Sequence, residues 1–110
     1  MNLKLLRQVL KACAEDTRLR IINVLKTGEV PVGEICSLIK AKQSAVSKHL
    51  ARLRLLKIVI DRREGNTIYY RLNDNRESMQ NRITSFINSQ FSDIEVFVED
   101  RKEERKVRKK

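Results

Sequence analysis

The sequence has few of the residues on which metalloproteins, disulfide-rich domains and small enzymes depend. Among 110 residues there are two cysteines, Cys13 and Cys36, and one histidine, His49. This set matches neither a disulfide framework nor a structural zinc site. With three glycines and a single histidine, no phosphate-binding loop, nucleophile–base pair or carboxylate pair can be assembled. We therefore expect no enzyme activity, no cofactor and no bound metal.

Long apolar runs are also missing. Charged residues interrupt every apolar stretch well before the ~18 to 20 residues that a membrane span requires. The first residues run straight into a charged amphipathic pattern, without the apolar core of an export signal. The sequence therefore predicts a cytoplasmic protein with no membrane partner.

Positive charge is abundant instead. Lys and Arg number 24 against 14 acidic residues, which gives a formal net charge of +10. Such an excess favours a polyanionic partner, such as nucleic acid or an anionic membrane surface. The length is that of one small domain.

Apolar residues at helical spacing organise the N-terminal part of the chain. They predict a first helix capped by Asn2, a second helix that Asp16 caps and Gly28 ends, and a short third helix at about residues 33–39. Pro31, which has no amide hydrogen, limits the segment before the third helix to an edge strand.

A longer fourth helix is predicted from Gln43, because Val46, Leu50 and Leu53 share one face. Two runs of β-branched and aromatic residues, 58–63 and 67–72, then predict a β-hairpin. At least one of the two tyrosines in the second run should be in the core.

The C-terminal part is predicted to contain one long helix. Asp74 and Glu77 have capping-box spacing, and the apolar stripe behind them continues to Val98. Residues 99–110 carry seven basic and four acidic side chains, mostly with like charges at i, i+4. We predict that this segment is a disordered basic tail, and that residues 1–98 form the domain.

This order of elements is that of a winged helix-turn-helix. The predicted fold is mainly α with a β-hairpin wing, five helices and a dimeric assembly, and the fourth helix would enter the major groove of DNA.

Four segments carry a resemblance to a known family: LKACAEDTRLRIINVL, GEICSLI, KQSAVSKHLARLR and REGNTIYYRL, which together fall within residues 10–72. In this order they resemble the arsenic-repressor/metal-sensor (ArsR/SmtB) family of bacterial and archaeal transcription regulators. The resemblance implies a homodimer that binds double-stranded DNA at a pseudo-palindromic operator, in most cases as a repressor. An architectural, non-specific nucleic-acid protein is the alternative, because charge alone would suffice for it. A protein-interaction adaptor is a third reading, which would not be expected to carry this positive charge.

The candidate DNA contacts lie on the fourth helix and the wing. On the helix the polar face would reach base edges and phosphates, and on the wing cations and an amide would lie beside the minor groove. A solvated helix face is the simpler explanation for the same polar residues. The predicted set is Gln43, Ser44, Ser47, Lys48, His49, Arg52, Arg62, Arg63 and Asn66.

Three lysines depart from the family pattern. Lys40 stands where the resemblance implies the glycine of the turn, Lys42 where it implies a serine-type cap, and Lys57 where it implies a glycine after the fourth helix. Each departure should cost about 1 kcal/mol of local stability.

The first and last helices have apolar stripes that the winged unit does not need. In a two-fold dimer such stripes would meet their symmetry mates; in a monomer they would pack within the chain. The predicted dimerisation set is Leu3, Leu6, Val9, Leu10, Phe86, Ile87, Phe91 and Ile94.

The effector cannot be identified from the residues. Pro31 and Gly33 occupy the positions of the Cys-x-Cys metal site that the resemblance implies, and Asp93 with Glu95 would make only a weak site for a hard cation. Cys13 and Cys36 are left as a candidate thiol sensor, although a free cysteine is more often a small buried hydrophobe.

Overall fold

The computed structural model of the protein describes the backbone of residues 2–108 and the side chains of residues 2–102. Its helices and strands follow in the order α1 (Leu3–Cys13), α2 (Asp16–Val24), a single 3-10 turn (Leu25–Thr27), β1 (Val30–Pro31), α3 (Val32–Ile39), α4 (Gln43–Leu55), β2 (Val59–Glu64), β3 (Thr67–Leu72), α5 (Met79–Gln90) and α6 (Glu95–Arg108). The winged helix-turn-helix prediction is confirmed: α3 and α4 form the helix-turn-helix, and β2 with β3 forms the wing.

The first two helices begin close to where the sequence predicted. The Asn2 side chain accepts hydrogen bonds from the Lys4 and Leu5 backbone N–H groups, at 2.8 and 3.2 Å, which confirms it as the cap of α1. Helix α2 is capped by Glu15 instead of Asp16: its carboxylate accepts from the Arg18 N–H at 3.0 Å. Glu15 has the extended backbone that a cap needs, and Asp16 is already helical.

The core lies between α2, α3, α4 and the base of a three-stranded antiparallel sheet of order β1-β3-β2. Pro31 lies in the edge strand β1, opposite Tyr69, as its missing amide hydrogen requires. Tyr70 is buried and Tyr69 is half-buried. The largest fully buried side chains include Ile21, Ile22, Leu25, Ile35, Leu38, Ile39, Leu50, Leu53 and Ile58.

The predicted long C-terminal helix is wrong: the chain forms two helices there, so the described residues contain six α-helices instead of five. Helix α5 is capped by the Ser78 hydroxyl, which accepts from the Asn81 N–H at 3.0 Å, and not by Asp74 or Glu77. After Phe91 the chain turns, and the Arg101 guanidinium donates to the Ser92 carbonyl at 2.6 Å. This hydrogen bond satisfies a carbonyl that the interrupted helix leaves free.

The prediction of a disordered tail is wrong for its first residues, 99–102. Residues 99–102 belong to α6, and Asp100 is only 3% exposed because it packs against α2. The helix continues to Arg108, and Lys109 and Lys110 lie outside the described residues. The boundary predicted at residue 98 therefore falls inside a helix that belongs to the domain.

Two lysines have the left-handed backbone that glycine adopts at least cost. Lys40, which ends α3, has φ 54° and ψ 48°, and Lys57, which follows α4, has φ 58°. We expect Lys40→Gly to raise the free energy of unfolding by about 0.5 to 1 kcal/mol, because glycine has no Cβ to clash in this conformation. Urea denaturation measures the change.

Lys42→Gly is the matched control, since it removes the same charge two residues away. Lys42 has φ −68° and ψ 141°, which any residue adopts, so glycine there should leave stability unchanged or lower it. A gain of equal size in both variants would show that charge, and not backbone strain, is responsible.

Candidate nucleic-acid interface

Helix α4 presents a polar face to solvent because its apolar face is fully used by the core. Val46, Leu50 and Leu53 are 0% exposed, as predicted from their spacing. On the other side, the predicted contact residues Gln43, Ser44, Ser47, Lys48 and Arg52 are all exposed. A rigid helix with a buried back and a polar front is the arrangement that reads base edges.

The turn before α4 adds positive charge to the same side. Lys40 and Lys42 are both exposed, and Lys42 provides no side-chain cap for α4. The Lys42 carbonyl accepts from the N–H groups of Ala45 and Val46, at 3.1 and 3.0 Å, and so starts the helix. The predicted absence of a side-chain cap is thus confirmed.

His49 is directed toward α2 instead of outward. Its Nδ1 lies 3.3 Å from Arg18 Nη1 and 3.6 Å from the Glu15 carboxylate. Burial raises the pKa of Glu15, but hydrogen bonds from the Arg18 and Thr17 N–H groups, with the charges of His49 and Arg18, leave that pKa below its ordinary value. His49 therefore connects α4 to the beginning of α2, and its predicted DNA contact stays a prediction.

Arg62, in strand β2 of the wing, forms ion pairs with two carboxylates. Its guanidinium donates to Glu29 at 2.6 Å and to Glu64 at 2.8 Å, and it lies 4.5 Å from the centre of the Tyr69 ring. Hydrogen bonds to the two carboxylates raise the pKa of Arg62. These partners compete with phosphate, so the structure does not favour the predicted DNA contact of Arg62.

The other two predicted DNA contacts of the wing do not take part in the ion pairs of Arg62. Arg63 alternates with Arg62 along β2 and is exposed, and Asn66 is exposed at the tip beside Gly65.

Arg54, at the end of α4, lies 3.3 Å from Asp61 of β2 and so links the helix to the wing. This contact was not predicted from the sequence, because its only signal is opposite charge in neighbouring elements.

An apolar groove of about 770 Å³ lies between α1 and α5. We use the term apolar groove for the surface lined by Leu3, Leu6, Leu10, Ile83, Phe86, Ile87 and Phe91. Leu3 is 80% exposed and Phe86 58% exposed, and Phe86 meets Phe91 edge to face with ring centres 5.7 Å apart. The prediction that Val9 belongs to this surface is wrong, because Val9 is fully buried in the core.

The two cysteines lie apart from any cluster of charged ligands. Burial raises the pKa of Cys13 to about 11, although the positive charge of Arg18 lowers this pKa in part. Burial also raises the pKa of Cys36, which is half-buried. Little thiolate is then present at neutral pH, which favours the interpretation as small hydrophobes. The candidate thiol sensor stays a prediction.

Within the part of the chain that the structure describes, no three His, Cys, Asp or Glu side chains come together as a metal site would require. Among the same residues, no helix combines the length and the apolar character needed to cross a bilayer.

Comparisons with known proteins give a consistent result. The sequence model of the family described as "Bacterial regulatory protein, arsR family" matches residues 15–61. The transcriptional repressor SdpR of Bacillus subtilis is 31% identical over 90 residues, which are 81% of this chain and all of SdpR. The transcriptional activator HlyU of Vibrio cholerae is 44% identical over 64 residues, which are 58% of this chain and 59% of HlyU. The match thus spans little more than half the length of HlyU.

Solved structures agree with the fold. Reduced HlyU from Vibrio cholerae superposes with a TM-score of 0.68 at 33% identity, covering 76% of this chain and 85% of that structure. A homodimeric winged helix-turn-helix DNA-binding domain from Mycobacterium bovis, solved by NMR, gives a TM-score of 0.69 at 28% identity, covering 79% of this chain and 78% of that domain.

Proposed function

This chain belongs to the arsR family of bacterial regulatory proteins, and on that premise we propose that it is a homodimeric, sequence-specific repressor of transcription. The family consists of regulators and not of enzymes. The observation that carries the proposal is the exposed polar face of α4, held rigidly by its buried apolar face. SdpR, matched along its whole length, is named a repressor, which supports repression over activation. The site of action would be the cytoplasm.

Some side chains of this interface would contact DNA bases, and others would contact the DNA phosphate backbone. The Gln43 amide can pair with adenine through two hydrogen bonds, and the Ser44 and Ser47 hydroxyls can bond to bases or phosphates. Lys48 provides a point charge for a phosphate, without sequence information. The turn lysines Lys40 and Lys42 would add to the phosphate contacts.

The apolar groove supports the proposed dimer. Exposed apolar side chains gathered in one groove often mark an interface. The homodimeric Mycobacterium bovis domain, similar in fold over most of its length, supports a second copy of this chain as the occupant. Two α4 helices related by a two-fold axis would then read half-sites about 34 to 36 Å apart, or a multiple of that spacing.

We expect Gln43→Ala and Lys48→Ala to impair DNA binding in different ways. With duplexes selected from a random pool by the wild type, Gln43→Ala should lose about 1 to 3 kcal/mol of discrimination at one base pair per half-site. Lys48→Ala should weaken selected and random duplexes by a similar factor, because phosphates are present in both. Fluorescence anisotropy on both duplexes measures the two effects.

Lys11→Ala, an exposed charge on α1, is the control for loss of one cation and should change both affinities little. If the random pool gives no enriched half-sites, the protein is the architectural, non-specific alternative. Equal losses of Gln43→Ala on both duplexes would likewise contradict base reading by this residue.

A further inference from the structure

Arg18, in the first turn of α2, is half-buried and contacts two neighbouring helices, α1 and α4. Its Nε–H donates to the Ala12 carbonyl, in the last turn of α1. Its Nη1 lies 3.3 Å from Nδ1 of His49, on α4. One planar guanidinium therefore joins a helix that lines the apolar groove to the helix that presents the polar face.

The contact with α4 involves the first turn of α2 twice. An arginine side chain has only donors, so the Arg18 contact is a hydrogen bond when Nδ1 of His49 accepts and the ring hydrogen is on Nε2. Glu15, whose carboxylate accepts from the Arg18 N–H at 3.0 Å, lies 3.6 Å from the same ring nitrogen. The beginning of α2 thus locates the His49 ring, and with it α4, from two residues.

The contact with α1 completes the end of that helix. The Ala12 carbonyl is one of those that a helix end leaves without a partner in the helix itself, and Arg18 satisfies it from the next helix. Val9 and Ala12 are fully buried, so apolar packing also holds α1 on the domain. Apolar packing is not directional, whereas the donors of a guanidinium have a fixed geometry. Arg18 therefore has the geometry to set the angle between α1 and α2.

The angle of α1 matters because groove residues lie along its whole length. Leu3, Leu6 and Leu10 line the apolar groove, and α1 has 11 residues, a length of about 16 Å. A change of about 10° at the Ala12 end moves the Leu3 end by about 3 Å, close to the rise of one base pair. Since two copies meet through this surface in the proposed dimer, the angle decides how far apart the two α4 helices lie.

We propose that Arg18 is a positioning residue, which fixes α1 relative to α4 and so determines the half-site spacing that the dimer accepts. The proposal rests on the proposed function, because only a dimer that reads two half-sites has a preferred spacing. Arg18 reads no base in this role, and the sequence of each half-site is still read by α4.

The test uses Arg18→Lys in the full chain. Lysine keeps the positive charge, but its single ammonium group does not reproduce the two hydrogen bonds of the planar guanidinium. Arg20→Lys is the matched control, because it makes the same change on the same helix, where the guanidinium of Arg20 donates to Asp100 and Ile39 instead. Urea denaturation and sedimentation check that each variant is folded and dimeric.

Anisotropy compares duplexes that carry the selected half-site twice at the selected spacing, twice with the spacing changed by two base pairs, or once. We expect the wild type to bind the selected spacing about 100-fold more tightly than the changed spacing, because the second half-site is engaged only where the geometry permits. In Arg18→Lys this preference should fall to about tenfold or less, since a loosened α1 lets the two α4 helices reach either spacing. Affinity for the single half-site should stay within about twofold of the wild type, and Arg20→Lys should keep the spacing preference.

Variants of His49 test the other end of the link. His49→Asn keeps an acceptor close to the position of Nδ1, and His49→Leu has none. Both lose the imidazole ring, so any DNA contact of the ring is lost in both, and the difference between them isolates the hydrogen bond to Arg18. We expect the spacing preference of His49→Asn to exceed that of His49→Leu by about tenfold, and this difference to disappear when Arg18→Lys is also present.

An Arg18→Lys protein with the wild-type spacing preference overturns the proposal, as does an equal fall in Arg20→Lys. Equal preferences of the two His49 variants, or a difference that survives Arg18→Lys, also overturn it. So does a loss on the single half-site as large as the loss on the selected duplex, because α4 itself would then be disturbed. In all these cases the wild type still prefers one spacing, and the proposed function stands. A wild type without a preferred spacing overturns the proposal and the proposed dimeric reading together.

Discussion

Phe86→Glu should convert the protein from a dimer to a monomer and weaken binding to a selected two-half-site duplex by on the order of 100-fold. Phe86 is 58% exposed on one chain, so the charge should leave the monomer folded. In the dimer the same carboxylate would lose its hydration against the apolar side chains of the partner's groove, at a cost of several kcal/mol. A monomer then loses the second half-site, whose linkage is worth roughly 10²- to 10⁴-fold in affinity.

Ser85→Glu is the matched control for this change. It adds the same charge to the neighbouring exposed position of α5, which does not line the apolar groove. Sedimentation at micromolar concentration and anisotropy on the selected duplex should both remain as in the wild type. A Phe86→Glu protein that still sediments as a dimer would contradict the apolar groove as the interface between copies.

The elements with a clear local signal were predictable from the sequence. Caps, turn residues and apolar spacing located α1 to α4 and the wing to within one or two residues. The buried set Val46, Leu50 and Leu53 followed from helical periodicity alone. These features depend on residues close together in the chain, which is why pattern analysis finds them.

The break between α5 and α6 was missed because the apolar stripe continues across it. Phe91 and Ile94 fit the helical spacing and are about 40% exposed, although both lie in the turn between α5 and α6. What stabilises the break is the hydrogen bond from Arg101 to the Ser92 carbonyl, and the turn direction that lets α6 return to α2. A capping hydrogen bond of this kind depends on where α6 packs, so local periodicity does not reveal it.

Charged side chains with distant partners give no local signal of those contacts. Arg62 and Asp100 have the sequence context of solvated charges, one on a basic wing and one in a charged tail. Their partners are Glu29, 33 residues away, and Arg20, 80 residues away. Only the tertiary fold decides whether such a charge is a ligand for DNA or a support for the domain.

Arg20→Ala should lower the free energy of unfolding by about 3 to 5 kcal/mol, the largest loss we expect from a single substitution. The Asp100 side chain is 4% exposed and would remain buried without its cation, and the Ile39 carbonyl would lose its donor. Replacing both partners by apolar residues, Arg20→Met with Asp100→Leu, should restore most of this loss, because no unpaired charge is left. Urea denaturation at one fixed protein concentration measures all variants, since dimerisation contributes to stability.

Arg54→Ala is the matched control, because it removes the arginine of an exposed pair. Arg54 and Asp61 lie 3.3 Å apart with side chains 56% and 35% exposed, and such pairs contribute at most about 1 kcal/mol. The contrast between the two arginines measures how firmly α6 is held against α2. Equal losses for Arg20→Ala and Arg54→Ala would show that water replaces the Arg20–Asp100 contact at little cost.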